Sequence, residues 1–253
     1  MATVVISDEQ ILFYRQQGYL VVPNLLTEAE ISQFLAFEHQ DHGPSWRSNL
    51  RHHVDTPAWN HLATHPNVVH VAKQLAEGAL RVVQTMYLEK SPAGTQAVGG
   101  AGIALHQDLH YLPCEPASLM ACWMALSDTD GENGGLCVVP GSHTKGLLET
   151  HRNADTDHDS WEIDYLMRDR TGKEWTERMY SFQISNLNES DILRLTVPQG
   201  AGVFFTGATV HGSYANRSVD RYRRAFATHY ITEGSWMYRA DVQDTMSTTE
   251  RLS

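Results

Sequence analysis

The sequence predicts a mainly β fold, a sandwich or barrel, with flanking helices (α+β) packed on it. From about residue 80 onwards, short runs rich in β-branched and aromatic residues alternate with clusters of Pro, Gly, Asn and Asp. Before residue 80 the sequence instead carries helix-start signals. Since a β barrel of 253 residues is often one domain, we expect a single domain over 1–253, with helical support over about 1–78 and a β core over about 80–232.

Two pairs of polar residues predict the starts of two helices. In each pair a hydroxyl precedes the helix and a carboxylate or amide follows three residues later, the spacing of a capping box. The pairs are Ser7 with Gln10 and Thr27 with Glu30. The first helix ends at Gly18, a strand follows over Tyr19–Val22, and a third helix covers about 68–79.

Six runs predict the strands of the β core, and one long segment interrupts them. The runs cover residues 81–88, 119–126, 135–139, 192–197, 202–206 and 225–231. The interruption, residues 149–185, is polar, rich in His and Asp, and carries Trp161, Trp175 and Tyr180. Because long interruptions in compact β domains are usually functional, we predict that this segment forms a lid or determines substrate specificity.

Composition excludes several classes of protein. The 19 Lys and Arg residues against 30 Asp and Glu residues give a formal net charge of −11, which argues against a nucleic-acid or membrane partner. No run of about 18 apolar residues predicts a transmembrane helix, and the N-terminus lacks the pattern of a signal peptide. Cys114, Cys122 and Cys137 include no CxxC pair, which favours buried thiols in a cytoplasmic protein. We expect a small-molecule substrate and no obligate protein partner.

His106 and Asp108 carry the strongest chemical signal. In an extended chain residues i and i+2 point to the same face, so the two side chains can bind one ion. His211, which follows the β run 202–206, is the candidate third ligand. Two histidines and one carboxylate, which leave coordination positions of the metal open for other ligands, suit non-haem Fe(II). The two-residue motif alone is weak evidence, because such pairs are more often structural or exposed.

The sequence around these residues resembles the phytanoyl-CoA dioxygenase family of Fe(II)/2-oxoglutarate-dependent oxygenases. The matching motifs run in the family's order over about residues 80–232. They are HQDLHY at 106–111, CWMAL at 122–126, NGGL at 133–136, VPGSH at 139–143, HGS at 211–213, NRS at 216–218 and RRA at 223–225. Together these motifs are far more specific than the metal motif alone.

The resemblance implies a fold, a set of cofactors and a set of site residues. The fold is a double-stranded β-helix (jelly roll, cupin-like barrel), and the cofactors are Fe(II) with 2-oxoglutarate and O2 as co-substrates. The implied ligands of Fe(II) are His106, Asp108 and His211. The implied contacts of 2-oxoglutarate are Arg223, Gln107, Trp123, Ser213 and Lys90. The implied substrate contacts are His110, Tyr111 and Gln84.

The activity that the resemblance implies is an oxidation with several possible outcomes. Hydroxylation of a small organic molecule, with release of succinate and CO2, is the simplest. The same iron chemistry also produces desaturation, cyclisation or epimerisation, and a cupin-like isomerase or lyase would need no 2-oxoglutarate. Production of succinate separates the last class from the others. The sequence leaves open whether the substrate is an acyl-CoA or a free small molecule.

Three arginines compete for the far carboxylate of 2-oxoglutarate, because the loop before Arg223 is one residue longer than the usual family pattern. The rivals are Arg221 and Arg224. A strand over residues 223–230 places Arg223 on a face with two alanines, which leave room for a ligand. Arg224 shares the other face with bulky side chains, so we predict Arg223.

Overall fold

Two antiparallel β-sheets meet in one apolar core in the computed structural model, which describes residues 3–43, 46–93, 101–153 and 157–252. The predicted lid and β core each include a few residues outside these ranges. The helices are α1 (Asp8–Gln17), α2 (Glu28–Glu38), α3 (Pro57–Ala63) and α4 (Pro66–Ala76). The strands are β1 (Tyr19–Val22), β2 (Leu80–Lys90), β3 (Ile103–His106), β4 (Cys114–Glu115), β5 (Met120–Ala125), β6 (Leu136–Val138), β7 (Thr150–Arg152), β8 (Glu162–Arg168), β9 (Glu174–Tyr180), β10 (Phe182–Ile184), β11 (Leu193–Arg194), β12 (Gly202–Thr206), β13 (His211–Ser213), β14 (Arg223–Thr232), β15 (Trp236–Met237) and β16 (Met246–Ser247).

The two sheets form the predicted jelly roll. The larger sheet has the strand order β1-β12-β5-β14-β2-β16, and the smaller sheet has the order β11-β6-β13-β3. Side chains from both sheets pack in one buried cluster, which includes Trp123 from β5 and Val138 from β6. Neighbours in each sheet are distant in sequence, so residues far apart in the chain meet at its centre.

Strand β14 lies between β2 and β5, and its alternate residues face the two sides that the sequence predicts. Ala225 and Ala227 face the space between the sheets. Phe226 and Tyr230 face the opposite side, where they pack into the cluster formed with the helices. Both faces of β14 are therefore covered, in agreement with its almost continuous burial.

The helices cover the outer face of the larger sheet. Both predicted capping boxes are present, and Gly18 ends α1 with a φ of 79°, where a side chain would also collide with His143. Phe34 of α2 packs edge-on against Phe226, with ring centroids 5.2 Å apart. Helices and sheet therefore share one core. Within the described ranges, every helix is too short or too polar to cross a membrane.

Several elements differ from the sequence prediction. Helix α3 was missed, because its seven residues are too few to show a helical period and only Pro57 marks its start. Helix α4 begins and ends earlier than predicted, and β11 is shorter. The β structure continues past residue 232, since β16 pairs with β2. The predicted thiols are confirmed as buried and free.

Candidate metal centre and co-substrate pocket

Three potential metal ligands converge where β3 and β13 lie side by side. His106 ends β3, His211 begins β13, and the two residues are paired across the antiparallel ladder. Asp108 begins a short 3-10 turn directly after β3. Its Oδ1 lies 3.5 Å from Nε2 of each histidine. Ligand atoms bound to one ion at about 2 Å lie about 3 Å apart, so these three atoms fit a single metal ion.

Backbone carbonyls orient both histidines for metal binding. Nδ1–H of His106 donates to the Ala104 carbonyl oxygen at 2.8 Å, and Nδ1–H of His211 donates to that of Thr209 at 3.0 Å. The lone pair of each ring is then on Nε2, the atom that faces Asp108. Burial lowers the pKa of His211 to about 4, so this imidazole is neutral at physiological pH. Two imidazoles and a carboxylate match the donor set of non-haem Fe(II).

His229 of β14 orients Asp108, a role that the sequence analysis missed. Its Nε2 donates to Asp108 Oδ2 at 3.1 Å, which leaves Oδ1 for a metal. Nε2 of Gln84 lies 3.4 Å from Nδ1 of His229, and this hydrogen bond fixes the orientation of the ring. Burial alone would raise the pKa of Asp108, but His211 and His229 hold it well below its usual range. The carboxylate is therefore ionised and points in one direction.

We expect His229→Ala to weaken Fe(II) binding by roughly 10- to 100-fold, the usual effect of losing a group that orients a metal ligand. Without His229, Oδ2 loses its donor and Asp108 can rotate away. The measurement is an Fe(II) titration with circular dichroism as a check on folding. His70→Ala, which removes a histidine of α4, serves as the control. Unchanged Fe(II) affinity in His229→Ala would show that Asp108 needs no such support.

Arg223 is a buried cation with no ion pair among the described residues. Its side chain is 2% exposed, and Nη1 donates to the Leu88 carbonyl oxygen at 3.1 Å. Nε has no hydrogen-bond partner in the described part of the chain. Burial lowers the pKa of the guanidinium to about 10, which still leaves it charged at neutral pH. An unpaired buried charge is costly, so this arrangement is typical of a site that binds an anion.

Lys90 and Ser213 extend this cationic site. Lys90 is paired with Arg223 across the ladder of β2 and β14, and its Nζ lies 2.8 Å from Ser213 Oγ. Nζ also donates to the Tyr214 carbonyl oxygen at 2.6 Å. Burial and the nearby Arg223 lower the pKa of Lys90 to about 6, so its charged form needs an anion close by. Ser213 and Trp123 line the cavity next to Arg223.

The rival arginines already have partners. Nη1 of Arg221 lies 2.7 Å from Asp130, and Nη2 lies 2.6 Å from Glu132. Nε of Arg224 lies 2.8 Å from Glu89. Arg223 is the arginine of the three that lines the cavity, which favours the prediction made from the strand phase.

The position of Gln107 corrects the expectation that it contacts 2-oxoglutarate. Its Nε2 donates to the carbonyl oxygens of Gly146 and Ala208 at 2.9 and 2.6 Å. Its Oε1 accepts from Leu148 N at 2.8 Å. Gln107 is also missing from the described residues that line the cavity, since it points to the opposite face from His106 and Asp108. Both N–H groups of its amide are therefore used within the protein, which leaves no donor for a carboxylate of 2-oxoglutarate.

A single cavity of about 470 Å³ joins the metal ligands to Arg223 and to a group of apolar side chains, called here the apolar compartment. Two of the three predicted substrate contacts, Tyr111 and Gln84, line it. Gln84 Oε1 is buried and has no hydrogen-bond partner within the described ranges. His110 turns away instead, with Nε2 3.1 Å from the Leu148 carbonyl oxygen. The substrate role predicted for His110 therefore has no support in its position.

The interrupting segment contributes one wall of the cavity. Within residues 149–185, β7 pairs with β10 and β8 forms a hairpin with β9. Trp161 and Phe182 stack near Tyr111, with ring centroids 5.3 and 4.9 Å away. Phe182 N also donates to Tyr111 Oη at 2.7 Å. Trp175 lies apart from this wall and packs against Tyr238.

Comparison with known proteins identifies a family and a fold. The sequence matches the family model "Phytanoyl-CoA dioxygenase (PhyH)" over residues 14–225. Peroxisomal phytanoyl-CoA dioxygenase of Rattus norvegicus is 27% identical over 251 residues, covering 89% of this chain and 68% of the rat protein. A probable phytanoyl-CoA dioxygenase of Caenorhabditis elegans is 26% identical over 263 residues, covering 92% of this chain and 78% of the nematode protein.

Solved structures of similar fold include enzymes described as non-heme and alpha-ketoglutarate dependent. The epimerase SnoN of nogalamycin biosynthesis has a TM-score of 0.68 at 22% identity, covering 92% of this chain and 85% of SnoN. The carbocyclase SnoK of the same biosynthesis has a TM-score of 0.63 at 27% identity, covering 94% of this chain and 88% of SnoK. EvdO2 from Micromonospora carbonacea var. aurantiaca, in complex with 2-oxoglutarate, has a TM-score of 0.62 at 18% identity, covering 100% of this chain and 99% of EvdO2.

Proposed function

The chain belongs to the phytanoyl-CoA dioxygenase family and is an Fe(II)/2-oxoglutarate-dependent oxygenase; we propose that it hydroxylates a small organic molecule, with release of succinate and CO2. The observation that carries the proposal is one cavity that joins a two-histidine, one-carboxylate cluster to a buried arginine without an ion pair among the described residues. An isomerase or lyase on the same fold would need the metal ligands but not this arginine.

Each part of the cavity has a role in this proposal. His106, Asp108 and His211 hold Fe(II), and the metal supplies the redox chemistry that couples decarboxylation of 2-oxoglutarate by O2 to oxidation of a C–H bond. Arg223 binds the far carboxylate of 2-oxoglutarate, because a guanidinium offers two parallel donors. Lys90 orients Ser213 by donating from Nζ to its Oγ at 2.8 Å, and Ser213 lines the cavity. Trp123 forms part of the wall beside this carboxylate and keeps water out.

The apolar compartment favours a free small molecule over an acyl-CoA. Its wall contains aromatic side chains, including Tyr111, Trp161, Tyr165 and Phe182. The three arginines considered as partners for the phosphates of CoA have contacts of their own, although Nη1 of Arg51 has no hydrogen-bond partner in the described ranges. Arg51 lies 3.5 Å from Asp244, Arg168 lies 2.7 Å from Glu174, and Arg170 donates to the carbonyl oxygens of Glu115 and Gly234. The orphan Gln84 Oε1 offers an acceptor to a substrate hydroxyl or amine.

Succinate formation tests the proposed function. Protein loaded with Fe(II) is incubated with 2-oxoglutarate and O2 in the presence of single members of a panel that includes hydroxylated aromatic compounds and acyl-CoAs. We expect slow succinate release without substrate and faster release with a compound of the first group. Product mass then separates hydroxylation, a gain of one oxygen, from desaturation, cyclisation or epimerisation. No succinate under any condition would contradict the proposed function, and stimulation by acyl-CoAs alone would contradict the substrate class.

We also propose that residues 149–185 act as a lid that Tyr111 holds closed. Tyr111→Phe removes the acceptor of Phe182 N, a loss of about 1 kcal/mol, so trypsin cleavage within the segment should become about fivefold faster. Cleavage after Lys173 and Arg178 is followed by mass spectrometry. Tyr180→Phe, which keeps the Tyr111 bond, is the matched control. Equal cleavage rates in the wild type and Tyr111→Phe would mean that this bond does not hold the segment.

A further inference from the structure

A second group of metal-binding side chains lies among the N-terminal helices, apart from the residues that line the cavity. Glu30 belongs to α2, His61 to the last turn of α3, and His65 directly precedes α4. One potential ligand atom from each residue lies within 4.8 Å of the other two. Helix α2, helix α3 and the start of α4 therefore bring one carboxylate and two imidazoles together.

The distances match those of a small divalent cation. Oε1 of Glu30 lies 3.0 Å from Nε2 of His65 and 3.6 Å from Nε2 of His61. Two ligands that bind Zn²⁺ tetrahedrally at about 2.0–2.1 Å lie roughly 3.3–3.4 Å apart. The Glu30 oxygen thus needs to move only a few tenths of an ångström relative to either nitrogen.

The carboxylate is oriented before any metal arrives. Oε2 of Glu30 accepts from Thr27 N at 2.8 Å and from Thr27 Oγ1 at 2.7 Å, as part of the capping box of α2. This leaves Oε1 to face the two histidines. Although partial burial opposes it, hydrogen bonding from Thr27 lowers the pKa of Glu30 to about 2. Burial lowers the pKa of His65, so this imidazole is neutral at neutral pH, and a metal ion would replace the 3.0 Å hydrogen bond between its Nε2 and Oε1 of Glu30.

We propose that Glu30, His61 and His65 bind one divalent cation of the borderline class, with Zn²⁺ as the best fit. Two imidazole ligands select against Ca²⁺ and Mg²⁺, which take oxygen ligands. His61 is about half exposed, at 51%, which gives the ion a path from solvent and leaves room for a water as fourth ligand. The bound ion joins α2 to the α3–α4 junction, and its binding free energy stabilises the helical layer.

Zn²⁺ titration against a chromophoric chelator tests the proposal. We expect the wild type to bind two equivalents, one in the cavity and one at Glu30, and the double variant His106→Ala/His211→Ala to keep only the second. In that background, His61→Ala and Glu30→Gln should each lower Zn²⁺ affinity by more than about 100-fold, because loss of a group that only orients a ligand costs about 10- to 100-fold. Zn²⁺ should also raise the melting temperature of the double variant, but not after His61→Ala.

The control and the contrary results are independent of the oxygenase reaction. His70→Ala on α4 should leave Zn²⁺ binding unchanged. Because the His61 side chain is half exposed, we expect His61→Ala to fold like the wild type. The proposal is overturned if the double variant binds no Zn²⁺, or if its Zn²⁺ affinity is the same with and without His61. Succinate formation by the Fe(II)-loaded wild type is measured separately and bears only on the proposed function.

Discussion

His211→Ala is expected to abolish Fe(II) binding and to lower turnover by more than about 1000-fold, with the fold retained. Loss of a hydrogen-bonding group that orients a metal ligand typically lowers metal affinity 10- to 100-fold, so loss of the ligand itself should lower it more. His211 faces the cavity, and its removal leaves the pairing of β13 with β3 and β6 in place. The measurements are Fe(II) affinity, succinate release and circular dichroism. Wild-type iron affinity in His211→Ala would show that the ligands are wrongly assigned.

A neighbouring histidine provides the control for this variant. His110 lies two residues after Asp108, but its ring is directed to the Leu148 carbonyl oxygen and away from the cavity. His110→Ala should therefore keep Fe(II) affinity.

The pKa of His211 predicts how iron binding depends on pH. A proton competes with the metal for this imidazole only below its pKa, and burial lowers this pKa to about 4. Protonation of His211 should therefore weaken iron binding only as the pH falls towards 4.

Local patterns in the sequence predicted those parts of the site that depend on backbone geometry nearby. Gln107 has extended φ and ψ angles of −117° and 130°, so His106 and Asp108 share a face as predicted even though β3 has already ended. Alternation along β14 predicted that Arg223 and the alanines share the cavity side. Both capping boxes were predicted because each lies within four consecutive residues.

Contacts between distant segments explain what the sequence did not predict. Strand alternation puts His229 on the same face as Arg223, but its hydrogen bond to Asp108 joins residues 121 positions apart, and no local pattern indicates it. Gln107 was assigned to 2-oxoglutarate by resemblance, whereas its three hydrogen bonds go to Gly146, Ala208 and Leu148 from two remote loops. The hairpin of β8 and β9 was not predicted because its strands are largely exposed, and their apolar and polar residues do not alternate as they do in a half-buried strand.

Arg223→Leu is expected to weaken 2-oxoglutarate binding by roughly 30- to 1000-fold, equivalent to about 2–4 kcal/mol. The far carboxylate would lose its charged donors in a buried pocket, where water does not replace them. Arg223→Lys should fall between the wild type and the leucine variant, because an ammonium keeps the charge but loses the two parallel donors. The dissociation constant of 2-oxoglutarate is measured with Fe(II) present and O2 excluded, so that binding is separated from turnover.

The same substitution at the two rival arginines provides matched controls, because each of them pairs with carboxylates outside the cavity. Arg221→Leu removes a partly exposed contact to Asp130 and Glu132 and should leave 2-oxoglutarate affinity unchanged. Arg224→Leu leaves the half-buried Glu89 without its guanidinium partner and should lower thermal stability while 2-oxoglutarate affinity stays within about twofold. A large loss of 2-oxoglutarate affinity in Arg224→Leu, with none in Arg223→Leu, would mean that the cavity side of β14 does not bind the co-substrate. On this side of β14, Arg223 lines the cavity and has no ion pair among the described residues, so the far carboxylate of 2-oxoglutarate would supply its missing partner.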